Sequence, residues 1–161
     1  MKTLIIFYSL EGNTRFVSET LATELDGDLA EIKTKDELVN KNSLMKYIWW
    51  GKMIFQKQEP EILPIDKKIE DYDLIIIGTP VWAWTYTPPI ASFFQENRIH
   101  GKKVAVFCCH GGWPRKTLEK MKEKLTGNTI VWQNNFREPL KYNKEDTLQK
   151  IICWAKELKN T

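Results

Sequence analysis

The stretch Leu4-Ile5-Ile6-Phe7-Tyr8-Ser9-Leu10-Glu11-Gly12-Asn13-Thr14-Arg15-Phe16 decides the fold. Residues 4–8 form a continuous apolar run, which reads as a short strand buried on both faces. Phe16, Val17, Leu21, Ala22 and Leu25 then recur at helical spacing, and Gly27 is expected to end that helix. A strand covered on both faces and followed at once by a helix is the repeating unit of a parallel sheet.

The unit recurs along the chain. Apolar runs predict strands at residues 29–32, 74–77, 104–109 and 129–132. Asp36 could cap a second helix running into residues 44–55. Pro88-Pro89 opens a third through Phe93 and Phe94, since proline is tolerated in a first turn. Leu118, Met121 and Leu125 mark a fourth helix, closed near Gly127. Leu148, Ile151, Ile152, Ala155 and Leu158 mark the last. Right-handed crossovers leave few topologies for such an alternation. We expect one domain over residues 1–161, with a five-stranded parallel sheet in the order 2-1-3-4-5. The ligand crevice then lies outside the carboxyl ends of strands 1 and 3, where the winding reverses.

Composition sets the outer bounds. The chain has 161 residues, 42% hydrophobic and 28% charged, with a net charge of +3. The cations are scattered, which does not suggest a dedicated nucleic-acid binder. Cys108, Cys109 and Cys153 do not form a disulfide framework. Cys108 and Cys153 read as core. His100 and His110 stand apart from carboxylate clusters, so no metal site is expected. No apolar run is long enough to cross a membrane, and a cytoplasmic protein is the expectation.

Ser9, Gly12, Asn13 and Thr14 sit where strand 1 becomes a helix. Free helix N–H groups and the helix dipole favour an anion there, and Gly12 lets the backbone come close. Ser9, Asn13 and Thr14 add neutral donors, enough for a monophosphate without lysine or metal. The stretch matches neither the nucleoside-triphosphate loop nor the dinucleotide fingerprint. A plain capped helix start is the bland alternative. Glu11 should point to solvent, offset by Arg15.

The other bank of the crevice is Gly78-Thr79-Pro80-Val81-Trp82-Ala83-Trp84-Thr85-Tyr86-Thr87-Pro88-Pro89, which holds three aromatics and no charge. It suits a flat apolar ring beside a phosphate, or else the aromatics are packing residues on a long loop. Cys109-His110-Gly111-Gly112, after strand 4, could bring backbone amides to a ring's polar edge.

These segments together resemble the flavodoxin family, especially its short, reductase-like members. The matching residues are Tyr8-Ser9-x-x-Gly12-Asn13-Thr14, the run 73–83, Pro88-Pro89, the run 101–105 and Gly111-Gly112. The resemblance implies a flavodoxin-like three-layer α/β sandwich that holds FMN noncovalently. Ser9, Leu10, Gly12, Asn13 and Thr14 would take the phosphate. Thr79, Pro80, Val81, Trp82, Ala83 and Trp84 would line the ring and ribityl chain. Cys109, His110, Gly111 and Gly112 would border the pyrimidine side.

The implied function is electron transfer. The partner would be a reductase or ferredoxin, with no nucleic acid and no membrane. An FMN-dependent NAD(P)H:quinone or flavin reductase is the alternative, and no residue is assigned a catalytic role. Arg15, His110, Arg115 and Lys116 near the expected site predict a less negative potential than acidic flavodoxins have. Relatives often place glycine beside flavin N5, but residues 79–89 have none. A turn needing positive φ would then cost roughly 1–2 kcal/mol, which predicts a tilt towards two-electron chemistry.

Two stretches invite other readings. Cys109 to Arg115 fits the C-x5-R spacing of phosphatase loops, in which a low-pKa thiolate attacks phosphorus. Residues 47–55 carry too many aromatics for one helical stripe. They read as a helix packed broadly on the sheet, or as a lid or homodimer surface.

Overall fold

The computed structural model describes residues 1–35, 59–142 and 144–160. The helix expected from Asp36 and the aromatic run 47–55 lie outside the described residues.

Five parallel strands form the sheet: β1 (Thr3–Phe7), β2 (Asp28–Glu31), β3 (Leu74–Trp82), β5 (Lys103–His110) and β6 (Thr129–Arg137). Their order is β2-β1-β3-β5-β6, and the short β4 (Thr85–Tyr86) pairs antiparallel with the end of β3. This is the expected 2-1-3-4-5 order with a hairpin added. Helices α1 (Asn13–Leu25), α2 (Pro88–Glu96), α3 (Thr117–Lys124) and α4 (Lys144–Lys159) complete the described elements, with a single 3-10 turn at Ile69–Asp71.

Strand alternation builds two cores, because successive side chains point to opposite faces. Leu4, Ile6, Ile75, Ile77, Val104 and Val106 face α2 and α3. Ile5, Phe7, Leu74, Ile76, Ala105 and Phe107 face α1 and α4. Full burial of one such side chain contributes roughly 1.5–3 kcal/mol, so the central strands hold the sandwich together. α4 presents Ile151, Trp154, Ala155 and Leu158 on one stripe. Gly78 admits the Phe107 ring: a Cβ at this position would meet Phe107 Cζ at 2.2 Å.

Three boundaries differ from expectation. β3 runs past Ile77 to Trp82, and β6 past Trp132 to Arg137. Both extensions lack the fully apolar pattern because they reach the sheet's rim or edge, where one side is open. Asp26, not Gly27, holds the left-handed cap of α1, with φ 51°. Between Val104 and Ala105 the β6 register advances from Ile130 to Trp132, leaving Val131 as an extra residue. Cys153 is exposed, not core. No helix among the described residues is long and apolar enough to cross a membrane.

Candidate functional site

The carboxyl ends of β1, β3, β5 and β6 surround a cleft of about 520 Å³, counting the part open to solvent. The parallel sheet forces this convergence, because every strand delivers its loop to the same rim.

The first wall is the turn into α1. Gly12 sits at the helix start with φ 91°, a conformation that side chains rarely adopt. A Cβ there would also meet Leu140 Cδ1 at 3.3 Å. The Ser9 hydroxyl accepts from the Arg15 amide at 3.1 Å, and the Gly12 carbonyl accepts from the Phe16 amide at 2.9 Å. Helix geometry leaves the Asn13 and Thr14 amides with no intrahelical acceptor. Thr14 is 1% exposed, and its hydroxyl has no oxygen or nitrogen partner. It lies beside the Cys109 thiol. The Asn13 carboxamide oxygen accepts from the Leu140 amide at 3.1 Å. The last contact fixes the loop to the segment after β6.

Glu11 is exposed, as expected. Arg15 does not offset it: its guanidinium pairs with Glu31 on β2. α1 sets Arg15 on the β2 side, so its charge is answered away from the cleft.

Pro80, Val81 and Trp82 form the second wall. Trp82 meets Tyr8 edge to face, with ring centroids 6.1 Å apart. Thr79 and Trp84 do not line the cleft, nor do Ala83 and Gly112. Thr79 is a fully buried brace whose hydroxyl donates to the Pro80 carbonyl and accepts from the Thr87 amide. Ala83 and Trp84 form the two-residue tip of the β3–β4 hairpin, with φ 44° and 64°. Tight hairpin tips of this hand need positive φ at both central residues. The cost expected for a glycine-free loop is therefore already present in the resting backbone. Trp84 turns outward and is 69% exposed.

Cys109, His110 and Gly111 form the third wall. His110 is 8% exposed; its Nε2 lies 2.9 Å from Asn135 Oδ1, and its Nδ1 has no partner. Burial pushes the Cys109 thiol well up, and the Cys108 thiol up to about 12, with Glu119 adding to the second shift. A phosphatase needs a thiolate at neutral pH. The buried Cys109 opposes that, and Arg115 lines a different cleft. Cys109 and Arg115 therefore do not form a phosphatase loop.

Glu138 completes the rim, and the sequence reading missed it. Its amide donates to the His110 carbonyl at 3.0 Å, its φ is 35°, and its carboxylate lies 3.5 Å from Lys141 Nζ. The available signal was positional, since this residue follows the last strand. The apolar run stopped at Trp132 and placed the strand end too early. Of the four groups expected to make the site basic, only His110 lines the cleft, while Glu11 and Glu138 also line it. That removes the basis for expecting a raised potential.

The comparisons agree with this geometry. A flavoprotein from Lactobacillus acidophilus, solved in complex with FMN, is 26% identical over 90% of this chain and 98% of its own, with a TM-score of 0.68. Oxidised Flavodoxin 1 from Bacillus cereus is 19% identical over 98% and 96%, with a TM-score of 0.60. An uncharacterized protein of Archaeoglobus fulgidus is 22% identical over 94% of this chain and 97% of its own. The family model described as Flavodoxin matches residues 2–157. Sheet order, rim cleft and sequence match thus converge, and the chain belongs to the flavodoxin family.

Proposed function

We propose that this chain binds FMN noncovalently and serves as an electron-transfer flavoprotein. One observation carries the reading. The buried, unpartnered Thr14 hydroxyl and the open amides of Asn13 and Thr14 face a wall of Pro80, Val81 and Trp82 across one cleft. Such a site suits a ligand with a phosphate at one end and a flat apolar ring at the other. The donor set is neutral, and converging N–H groups can hold a monophosphate without a cation.

The flavin supplies the redox chemistry when bound, and the protein supplies position and electrostatics. Gly12 opens the turn so that amides can converge. Asn13 holds the loop shut against Leu140 and leaves its carboxamide N–H₂ for the ligand. Trp82, braced by Tyr8, gives the ring a rigid apolar wall that excludes water. His110, oriented through Asn135, has an Nδ1 without a protein partner on the third wall.

The test is the visible spectrum of the purified protein with added FMN and, separately, with riboflavin. FMN is expected to show shifted, structured bands, and riboflavin to bind at least roughly 100-fold more weakly because it lacks the phosphate. A protein that takes up neither flavin, or both equally, overturns the assignment of the loop.

A further inference from the structure

A second cleft adjoins the first. It encloses about 610 Å³, counting the part open to solvent, and is lined by Trp84, Arg115, Lys116 and Lys120. The β3–β4 hairpin is the shared wall. Trp82 lines the first cleft, and Trp84, two residues on, lines the second. The hairpin packs against α3, which brings its tip to the cations.

Three features of this cleft call for a ligand. Arg115, Lys116 and Lys120 converge with no carboxylate in ion-pair range among the described residues, and Glu119 and Glu123 on the same helix do not pair with them. Like charges gathered without an answering charge repel, and an anion between them relieves this. Trp84 leaves an indole 69% exposed beside them. An indole beside unanswered cations offers a flat face on which a ring can stack. Both the indole and the guanidinium sit on left-handed backbone, at φ 64° and 49°. Such conformations persist where the surrounding structure imposes them, and they cluster at ligand clamps.

The chemistry selects the ligand. An inorganic anion would answer the cations and leave the indole bare. An acidic protein surface would answer the cations as well, and electron exchange with a small acidic ferredoxin tests for it. A phosphorylated nucleotide answers both, since its base stacks on the indole and its phosphates take the cations. We propose that this cleft binds the base and phosphate of a nucleotide, for which adenine nucleotides serve as the probe. The source is either the adenylyl half of a nicotinamide dinucleotide reaching over the hairpin or a free nucleotide. Only the choice between those sources rests on the FMN reading.

The experiment is calorimetric titration of the FMN-loaded protein with adenosine 2′,5′-bisphosphate, AMP and pyrophosphate. We expect the bisphosphate to bind. The double variant Lys116→Ala/Lys120→Ala should weaken it by roughly tenfold or more, with the FMN spectrum unchanged as the folding control. Trp84→Ala should weaken both nucleotides and leave pyrophosphate unaffected. Anaerobic NADPH then separates the sources. Bleaching of the flavin that is lost in the double variant assigns the dinucleotide, and binding without bleaching assigns a free nucleotide. No heat at millimolar nucleotide overturns the proposal. So does pyrophosphate binding as tightly as the bisphosphate. If nucleotides fail while electron exchange with a small acidic ferredoxin is lost in the double variant, the cleft belongs to a protein partner and the proposal falls. If the chain takes up no FMN, the functional reading fails by itself, and the same titration on the flavin-free protein still decides the cleft.

Discussion

The two ends of the sheet differ in how their polar groups are answered. At the amino end nearly every donor in view has a partner. The Asn128 carboxamide accepts from the Lys102 amide and donates to the Ile99 and Leu125 carbonyls, at 2.8–3.0 Å. Lys102 Nζ donates to the Glu70 and Tyr72 carbonyls. The Tyr72 hydroxyl donates to Asp28 at 2.8 Å, and the Lys2 amide donates to Asp73. At the carboxyl end, Thr14 Oγ1, His110 Nδ1 and Thr117 Oγ1 are buried without partners, the two other such atoms among the described residues, Ser18 Oγ and Trp154 Nε1, lying within α1 and α4, and Trp84 and Trp113 stand in solvent. Four of the five non-glycine residues with positive φ among the described residues lie there too: Ala83, Trp84, Arg115 and Glu138. A buried unanswered polar group costs stability. The molecule concentrates that cost at the end where a ligand can answer it, and the other end holds the strands together.

Substitutions can break this contrast. The largest effect is expected from Thr14→Glu, which places a carboxylate where the proposed FMN phosphate would sit. FMN affinity should fall by roughly 100-fold or more while the flavin-free protein still unfolds in one cooperative transition, with a loss of stability smaller than the loss of binding free energy. Flavin fluorescence titration and thermal melting check both halves. Asn128→Ala should show the reverse. It removes three hydrogen bonds and leaves backbone groups unanswered, for a loss of about 2–3 kcal/mol in urea denaturation, with FMN affinity of the folded protein unchanged. Similar losses of affinity and stability in either variant would show that the two ends are not separate.

Two smaller changes sharpen the contrast. Ala83→Gly relieves a left-handed residue and should stabilise the flavin-free protein by about 0.5–1 kcal/mol. A destabilised variant would mean that the hairpin tip is not strained. The Tyr72 hydroxyl is pushed up to about 12, by burial first and by Asp28 second. The unfolded chain therefore gives up this proton near pH 10 while the folded chain keeps it. The contribution is complete below pH 10 and is lost as pH rises towards 12. Tyr72→Phe should cost about 1 kcal/mol at neutral pH and flatten the fall in stability over that alkaline window. Denaturation midpoints across the window check it.

Much of this was legible because buried parallel strands write themselves as apolar runs. Ile75, Ile76 and Ile77 announce the centre of the sheet, and Ser9 to Thr14 announce the turn from β1 into α1. The rim was harder to read. β6 is an edge strand, so Gln133, Asn134 and Asn135 interrupt its apolar pattern and hide both its end and Glu138. The glycine-free hairpin hid its own shape, since Ala83 and Trp84 carry no sign of positive φ. Thr79 looked like a cleft residue and is a brace, because alternation along β3 turns it from Pro80's side. Trp84 shares its composition signal with Trp82, and only the hairpin's return separates the two into different clefts.

The extra residue at Val131 gives the edge strand one residue of slack. On either side of it the β5–β6 pairs are set: Val104 faces Ile130, and Ala105 faces Trp132. Removing Val131 alone would join those halves without moving a single pair, so Asn135 would still stand beside His110 and Phe136 would still face the core. A residue removed from elsewhere between Ile130 and Arg137 can be made good by drawing in the same slack, at the cost of shifting the side chains in between. This strand can therefore shorten by one residue without losing its register, whereas an inserted residue has no such outlet. Length changes in homologous chains should fall here as deletions, and the rim above should keep its geometry through them.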